Sequence, residues 1–219
     1  MLTTLLTITV LSIASNAPVV AQAAPTAKAP AAAPVKLFDG KSLAGWKPFL
    51  PQGDPATVWS VKEGVMICSG NPVGYIQTEK QFANYELTLK WRFDPAKGEG
   101  NSGVLLRVVG ADTVWPKSME AQLHSKNAGD IWNIGDFPAK ADAARTEGRR
   151  TRKEHPTNEK PLGEWNEYRI VMDGGTLELY VNGLLQNRAT DVEVVPGRIA
   201  LQSEGAHIEF KDIVLTPKP

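Results

Sequence analysis

The sequence predicts an all-β domain, a two-layer antiparallel jelly-roll sandwich. Two observations about its pattern carry that expectation. After position 35 no 11-residue window sustains the i, i+3, i+4, i+7 apolar repeat of an amphipathic helix, whereas period-two alternation recurs throughout. Glycine (19) and proline (16) supply turns at a density that disfavours a helical bundle. About a dozen short strands laid out flat would leave long unpaired edges, so the sheet should fold over into two layers.

In chain order, residues 2 to 22 carry no charged side chain, include the apolar run LLTITVLSIA, and lead to Ala21-Gln22-Ala23. This is the form of a secretory signal cleaved after Ala23, placing the protein in the periplasm or outside the cell. The apolar part is too short and too rich in Thr and Ser to favour a membrane span. Residues 24–34 (APTAKAPAAAP) read as an Ala/Pro spacer, leaving one folded domain at 35–219. Strands are expected at 36–38, 57–61, 65–68, 74–78, 85–93, 103–109, 118–124, 165–172, 176–182, 184–189, 198–204 and 207–215. Turn signals separate them: Asp39-Gly40, Glu63-Gly64, Asp173-Gly174-Gly175, Asn182-Gly183 and Pro196-Gly197. In the last strand the apolar phase shifts between Ile208/Phe210 and Ile213/Leu215, which a β-bulge near Lys211-Asp212 explains. The stretch 135–163 has neither period. Its basic cluster, Arg149, Arg150, Arg152 and Lys153, reads as a solvated loop or as a lid over a polar sheet face.

Composition excludes several partners. Lys plus Arg (24) equals Asp plus Glu (24), so nothing attracts a polyanion and nucleic acid is not an expected partner. The single Cys68 cannot form an internal disulfide. CxxC, HExxH, GxSxG and phosphate-cradling glycine loops are missing from the sequence, which removes the metalloprotease, α/β-hydrolase, kinase and dinucleotide-binding readings.

What remains is VWPKSMEAQLH, residues 114 to 124. On a strand, Glu120, Gln122 and His124 project from one face at spacings of about 7 Å. A carboxylate, an amide and an imidazole in a row can serve as base, hydroxyl reader and proton carrier, although an exposed sheet face is polar by default. Neighbouring strands add to that face. Arg107 alternates against Val104, Leu106 and Val108, Lys90 and Arg92 occupy the polar side of 85–93, and Gln202 and Glu204 oppose Ile199 and Leu201. Cations near Glu120 would hold it ionised. Trp59, Trp91 and Trp165 read as core or rim, whereas Trp46, Trp115 and Trp132 sit in Gly- and Pro-containing loops, where they either stack on sugar rings or anchor the loops. Asn101 either closes a tight turn or contacts a ligand. Asp130, Asp136, Glu120 and His124 could support a divalent ion, though their spacing is not a recognised ligand pattern.

Several motifs together resemble one family. KLFDGKSLAGW (36–46), KWRF…GNSGVLLR (90–107), WPKSMEAQL (115–123), GEWN (163–166), VNG (181–183) and RIALQSEGAHIEFKDI (198–213) are similar to the bacterial 3-keto-disaccharide hydrolase domain family, formerly DUF1080. The resemblance implies a concanavalin A-like jelly roll that cleaves glycosides oxidised at sugar C3. There a base removes the C2 proton, an acid serves the leaving group, and a cation stabilises the enolate. Glu120, His124 and Arg107 can fill those roles. The alternatives are a lectin-like carbohydrate-binding module on the same fold and, less favoured, a structural interaction domain with an exposed apolar patch.

Overall fold

A computed structural model describes residues 33–219; the expected leader and nearly all of the spacer lie outside them. In chain order the described strands are β1 (Val35–Lys36), β2 (Trp46–Phe49), β3 (Trp59–Lys62), β4 (Val65–Cys68), β5 (Gly74–Thr78), β6 (Tyr85–Phe93), β7 (Gly103–Val109) and β8 (Lys117–Gln122). They continue with β9 (Ile131–Ile134), β10 (Lys140–Ala141), β11 (Thr146–Glu147), β12 (Arg150–Thr151), β13 (Asn166–Asp173), β14 (Thr176–Val181), β15 (Leu184–Thr190), β16 (Arg198–Ser203) and β17 (Ile208–Pro217). Two single-turn 3-10 helices, Pro55–Thr57 and Ala143–Arg145, are the described helical elements.

The strands form two antiparallel sheets. One has the order β10-β15-β14-β13-β6-β17-β4-β3, with β1 pairing β17; the other has the order β11-β12-β9-β8-β7-β16-β5-β2. We call them the nine-stranded and eight-stranded sheets. The core lies between them and is assembled by the alternation seen in the sequence. Leu87, Leu89, Trp91 and Phe93 of β6 meet Met119 and Ala121 of β8 and Val104 and Leu106 of β7, while the intervening residues face outward. The jelly-roll architecture is therefore as expected. So is the bulge in β17: its register with β6 shifts between Lys211 and Val214, where Asp212 adopts φ 53.

The stretch 135–163 is more ordered than its sequence suggests. Its residues pair as β10, β11 and β12, and the β11–β12 hairpin extends the edge of the eight-stranded sheet beyond β9. Gly148 occupies the first position of the two-residue turn with φ 58, where a type II′ hairpin favours glycine. The hairpin is tied down by Arg150, whose guanidinium bonds the buried Asp130 carboxylate (Nε 2.7 Å, Nη2 2.6 Å) and Asn127 Oδ1 (3.1 Å).

The outer face of the eight-stranded sheet is not uniformly polar. Tyr75, Leu105, Val108, Ile134 and Ala200 form a second buried apolar cluster there, with Phe49 stacked on Tyr75 at 5.2 Å. No helix among the described residues is long and apolar enough to cross a membrane.

Candidate active site

The register of the eight-stranded sheet places the site. Antiparallel partners share a face, so the pairs Ala200–Leu105, Leu105–Glu120, Glu120–Trp132 and Trp132–Arg150 run as one row across the outer side. Gly103 and Gln122 belong to the adjacent row. Beside these rows opens a pocket of about 180 Å³ lined by Asn101, Trp115, Glu120, Gln122, Trp132, Ile134, Arg149 and Glu204.

Glu120 is only 5% exposed. Its Oε1 has no hydrogen-bond partner, nor does either amide atom of the buried Gln202, Asn101 Oδ1 or Trp132 Nε1. Buried polar groups are normally paired, so several unpartnered atoms gathered around one pocket have the character of a ligand site. Gly103 makes the cluster possible: a Cβ there would collide with Oε1 of both Glu120 and Gln202. Gln122 is half used. Its Oε1 accepts from the backbone N–H of Leu123 and His124, both at 2.9 Å, leaving its NH₂ for the pocket.

The electrostatics reverse one expectation. Cations were expected to hold Glu120 ionised; instead burial, followed by repulsion from Glu204, pushes its carboxyl up to about 8. Gln202 and Arg149 act in the opposite direction with smaller effect. Burial raises Glu204 as well, to about 7. Between about pH 7 and 8 the two carboxyls together hold about one proton, and their titration belongs to the pair.

The structure therefore brings Glu120, Gln122, Asn101, Trp115, Trp132 and Glu204 to one pocket, with Gln202 beside Glu120. The other expected site residues lie elsewhere, each for a physical reason. Arg107 does not reach the pocket. It takes φ 50 at a bulge where the β7–β8 register shifts between Leu106 and Val109, so Val108 joins the outer cluster and Arg107 turns inward. There it is fully buried and donates to the carbonyls of Ala83 (3.1 and 2.8 Å), Glu193 (2.5 Å) and Gly174 (2.9 Å). His124 lies past the end of β8. Its exposed ring is turned onto the following turn, with Nδ1 2.9 Å from Ser125 O and 3.0 Å from Asn127 Nδ2.

Lys90 and Arg92 do lie on the polar side of their strand, but β6 belongs to the other sheet, so they face away from Glu120 across the whole sandwich. Lys90 pairs Asp212 (2.9 Å); Arg92 pairs Glu209 (2.6 Å) and packs over Trp165. Trp46 opens β2, points into the core and donates Nε1–H to Leu37 O at 2.7 Å. The four residues considered for a divalent ion do not gather: Asp130 is committed to Arg150 and the Lys153 N–H, and Asp136 is exposed at φ 50. Among the described residues no three His, Cys, Asp or Glu side chains form a metal-binding group.

Arg149 was not singled out from the sequence as a site residue. It stands in the β11–β12 turn, lies over the Trp132 ring at 5.5 Å, and supplies the pocket's cation. Its signal was the basic cluster, read as a solvated loop or a lid; which of those cations turned inward was not visible without the hairpin register.

Comparison with known proteins bears on the fold and the family. Over 160 residues the chain is 26% identical to a 3-keto-disaccharide hydrolase of Bacteroides thetaiotaomicron, covering 65% of this chain and 53% of that protein. The chain thus spans about half the length of this curated relative. In three dimensions it resembles a protein from Parabacteroides distasonis assigned as a glycosyl hydrolase (TM-score 0.62, 22% identity, 85% of this chain and 94% of that one). It also resembles the β-glucanase of Bacillus licheniformis (TM-score 0.58, 11% identity, 88% and 100%) and the carbohydrate-binding module CBM66 of Bacillus subtilis (TM-score 0.56, 11% identity, 77% and 93%). At these identities the structural likenesses establish a shared fold. Residues 33–216 match the sequence model of the 3-keto-alpha-glucoside-1,2-lyase-like domain, and the chain belongs to that family.

Proposed function

We propose that the pocket cleaves glycosides already oxidised to a ketone at sugar C3, by elimination across C1–C2. The observation that carries this reading is the pair of carboxyls, buried Glu120 and half-buried Glu204, with raised proton affinities beside unpartnered amides. The C3 ketone acidifies the C2 proton. The ionised member of the pair takes that proton, and the C2–H electrons move into the enolate. The enolate then expels the glycosidic oxygen from C1, forming the C1=C2 bond, while the protonated member gives its proton to the leaving oxygen. Water adding to C1 afterwards makes the net reaction a hydrolysis. Arg149 faces the developing enolate charge, taking the part the sequence suggested for Arg107, and the second carboxyl takes the part suggested for His124. Trp115 and Trp132 offer ring faces to the sugar, and Asn101, Gln122 and Gln202 read its hydroxyls.

The test compares a glycoside, its 3-keto derivative and the 3-keto derivative deuterated at C2. Only the ketones should turn over, and the deuterated one more slowly if proton removal limits the rate. Activity should peak between about pH 7 and 8. Below that window both carboxyls are protonated and no base remains; above it both are ionised and the acid is lost. Equal rates with and without the ketone would overturn the mechanism, and binding without turnover of either would favour a carbohydrate-binding module.

Export is part of the same proposal. It rests on the uncharged leader and the small residues flanking Gln22. Amino-terminal sequencing of protein recovered from outside the cytoplasm should begin at Ala24, whereas intact Met1 in the membrane fraction would indicate an anchor.

A further inference from the structure

Strands β7 and β8 are antiparallel neighbours, and a two-residue turn could join them. Residues 110–116 do so by a longer route. Across the intervening β16, Asp112 meets side chains of β5: its Oδ1 accepts hydrogen bonds from Tyr75 Oη at 3.1 Å and Gln77 Nε2 at 2.9 Å. Its Oδ2 lies 3.7 Å from Lys47 Nζ on β2. Beneath this crossing, Tyr75, Leu105 and Ala200 are fully buried although they face away from the main core. The outer face of such a sheet is ordinarily open to solvent, and here the hydrogen bonds of Asp112 to Tyr75 and Gln77 span it as a roof.

The roof decides the shape of the site. Without it, the outer rows would continue from Glu120 past Leu105 and Ala200 to Gln77 and Lys47 as an open groove. With it, the pocket's lining stops short of β5 and β2, and Trp115, from the same segment and 45% exposed, stands at its wall.

We propose that Asp112 is a positioning residue that pins the 110–116 segment across β16, closes one end of the groove and fixes Trp115 beside the pocket. The site then accepts the terminal unit of a sugar chain and rejects internal units. The identity of the sugar rests on the function proposed above; the closure does not. An aspartate makes a specific clasp because its carboxylate alone satisfies two donors from β5 and faces a cation from β2.

Asp112→Ala tests this with two probes: a disaccharide oxidised at C3 of its terminal unit, and a linear tetrasaccharide oxidised at C3 of an internal unit. The wild type should cleave the first and leave the second nearly untouched. In the variant, activity on the tetrasaccharide should rise at least about tenfold, while KM for the disaccharide increases several-fold and kcat stays within about twofold. Asp112→Asn should keep the wild-type selectivity, because its amide oxygen still accepts from Tyr75 and Gln77. Acrylamide quenching, referenced to Trp115→Phe in each background, should show Trp115 more accessible in Asp112→Ala. If Asp112→Ala does not fold, Tyr75→Phe removes one of the two bonds, keeps the ring stacked on Phe49, and should shift both readouts in the same direction. Unchanged selectivity and unchanged quenching would overturn the proposal. Should the wild type turn over neither probe, the elimination reading fails by itself; calorimetric binding of the unoxidised disaccharide and tetrasaccharide then carries the same comparison between wild type and variant, and an unaltered preference there overturns the closure.

Discussion

Glu120→Gln should reduce turnover of a 3-keto-glycoside by about 10²–10⁴, because glutamine keeps the size and polarity of the side chain but neither accepts nor donates the proton. The same substitution should stabilise the fold at alkaline pH. The Glu120 carboxyl is held up to about 8 in the folded protein against an ordinary 4.5, so the unfolded chain releases its proton first. Between those values the native state binds more protons than the unfolded state, and stability falls as pH rises. An amide has no ionisation to resist. The melting temperature of Glu120→Gln should therefore exceed that of the wild type at pH 8, with the gap closing towards pH 4, where both states of the wild type carry the proton. Loss of activity together with this pH-dependent gain separates removal of a reacting group from damage to the fold. A wild-type kcat in the variant would remove Glu120 from the chemistry.

Arg107→Met should have its large effect on stability. The substitution strands the carbonyls of Ala83, Gly174 and Glu193, which the guanidinium now satisfies. Each part-buried acceptor left without a donor costs about 1 kcal/mol, the lower end of the range for buried groups, so the three together cost about 3 kcal/mol. In a domain of this size that lowers the melting temperature by roughly 10 °C. Below the transition the surviving folded protein should retain its kcat. A variant that melts like the wild type but has lost turnover would return Arg107 to the reaction.

These two residues show where the sequence was readable. Glu120 and Gln122 were placed on one face by alternation with Met119 and Ala121, and the structure keeps that phase because β8 is regular to Gln122. Beyond it the Gln122 carboxamide accepts from the N–H groups of Leu123 and His124, and His124 is out of the row. Arg107 failed for a different reason. In GVLLRVV every residue around the arginine is apolar or glycine, so a strand with a bulge and one without it look alike. Only the register with β8 and β16 reveals the extra residue. Lys90 and Arg92 mark a third kind of limit: alternation assigns a side chain to a side of its strand, but not its strand to a sheet. The long β6 could be read from its period, whereas IWNI at β9 and the two-residue strands β10, β11 and β12 are too short to show one. The pocket's cation was hidden for that reason.

The edge position of that hairpin has a consequence for how such a site can diverge. The two carboxyls rise from the middle of the sheet, β8 and the end of β16, where any insertion would disturb pairing on both sides. Arg149 comes instead from a two-residue turn at the sheet margin, held by one neighbouring strand and by the Arg150–Asp130 pair. Lengthening, shortening or recharging that turn alters what faces the sugar without repacking a single interior side chain. The pocket's two carboxyls and its cation are thus carried on separate parts of the scaffold, the carboxyls by interior strands and the cation by a marginal turn that can change in length without moving them.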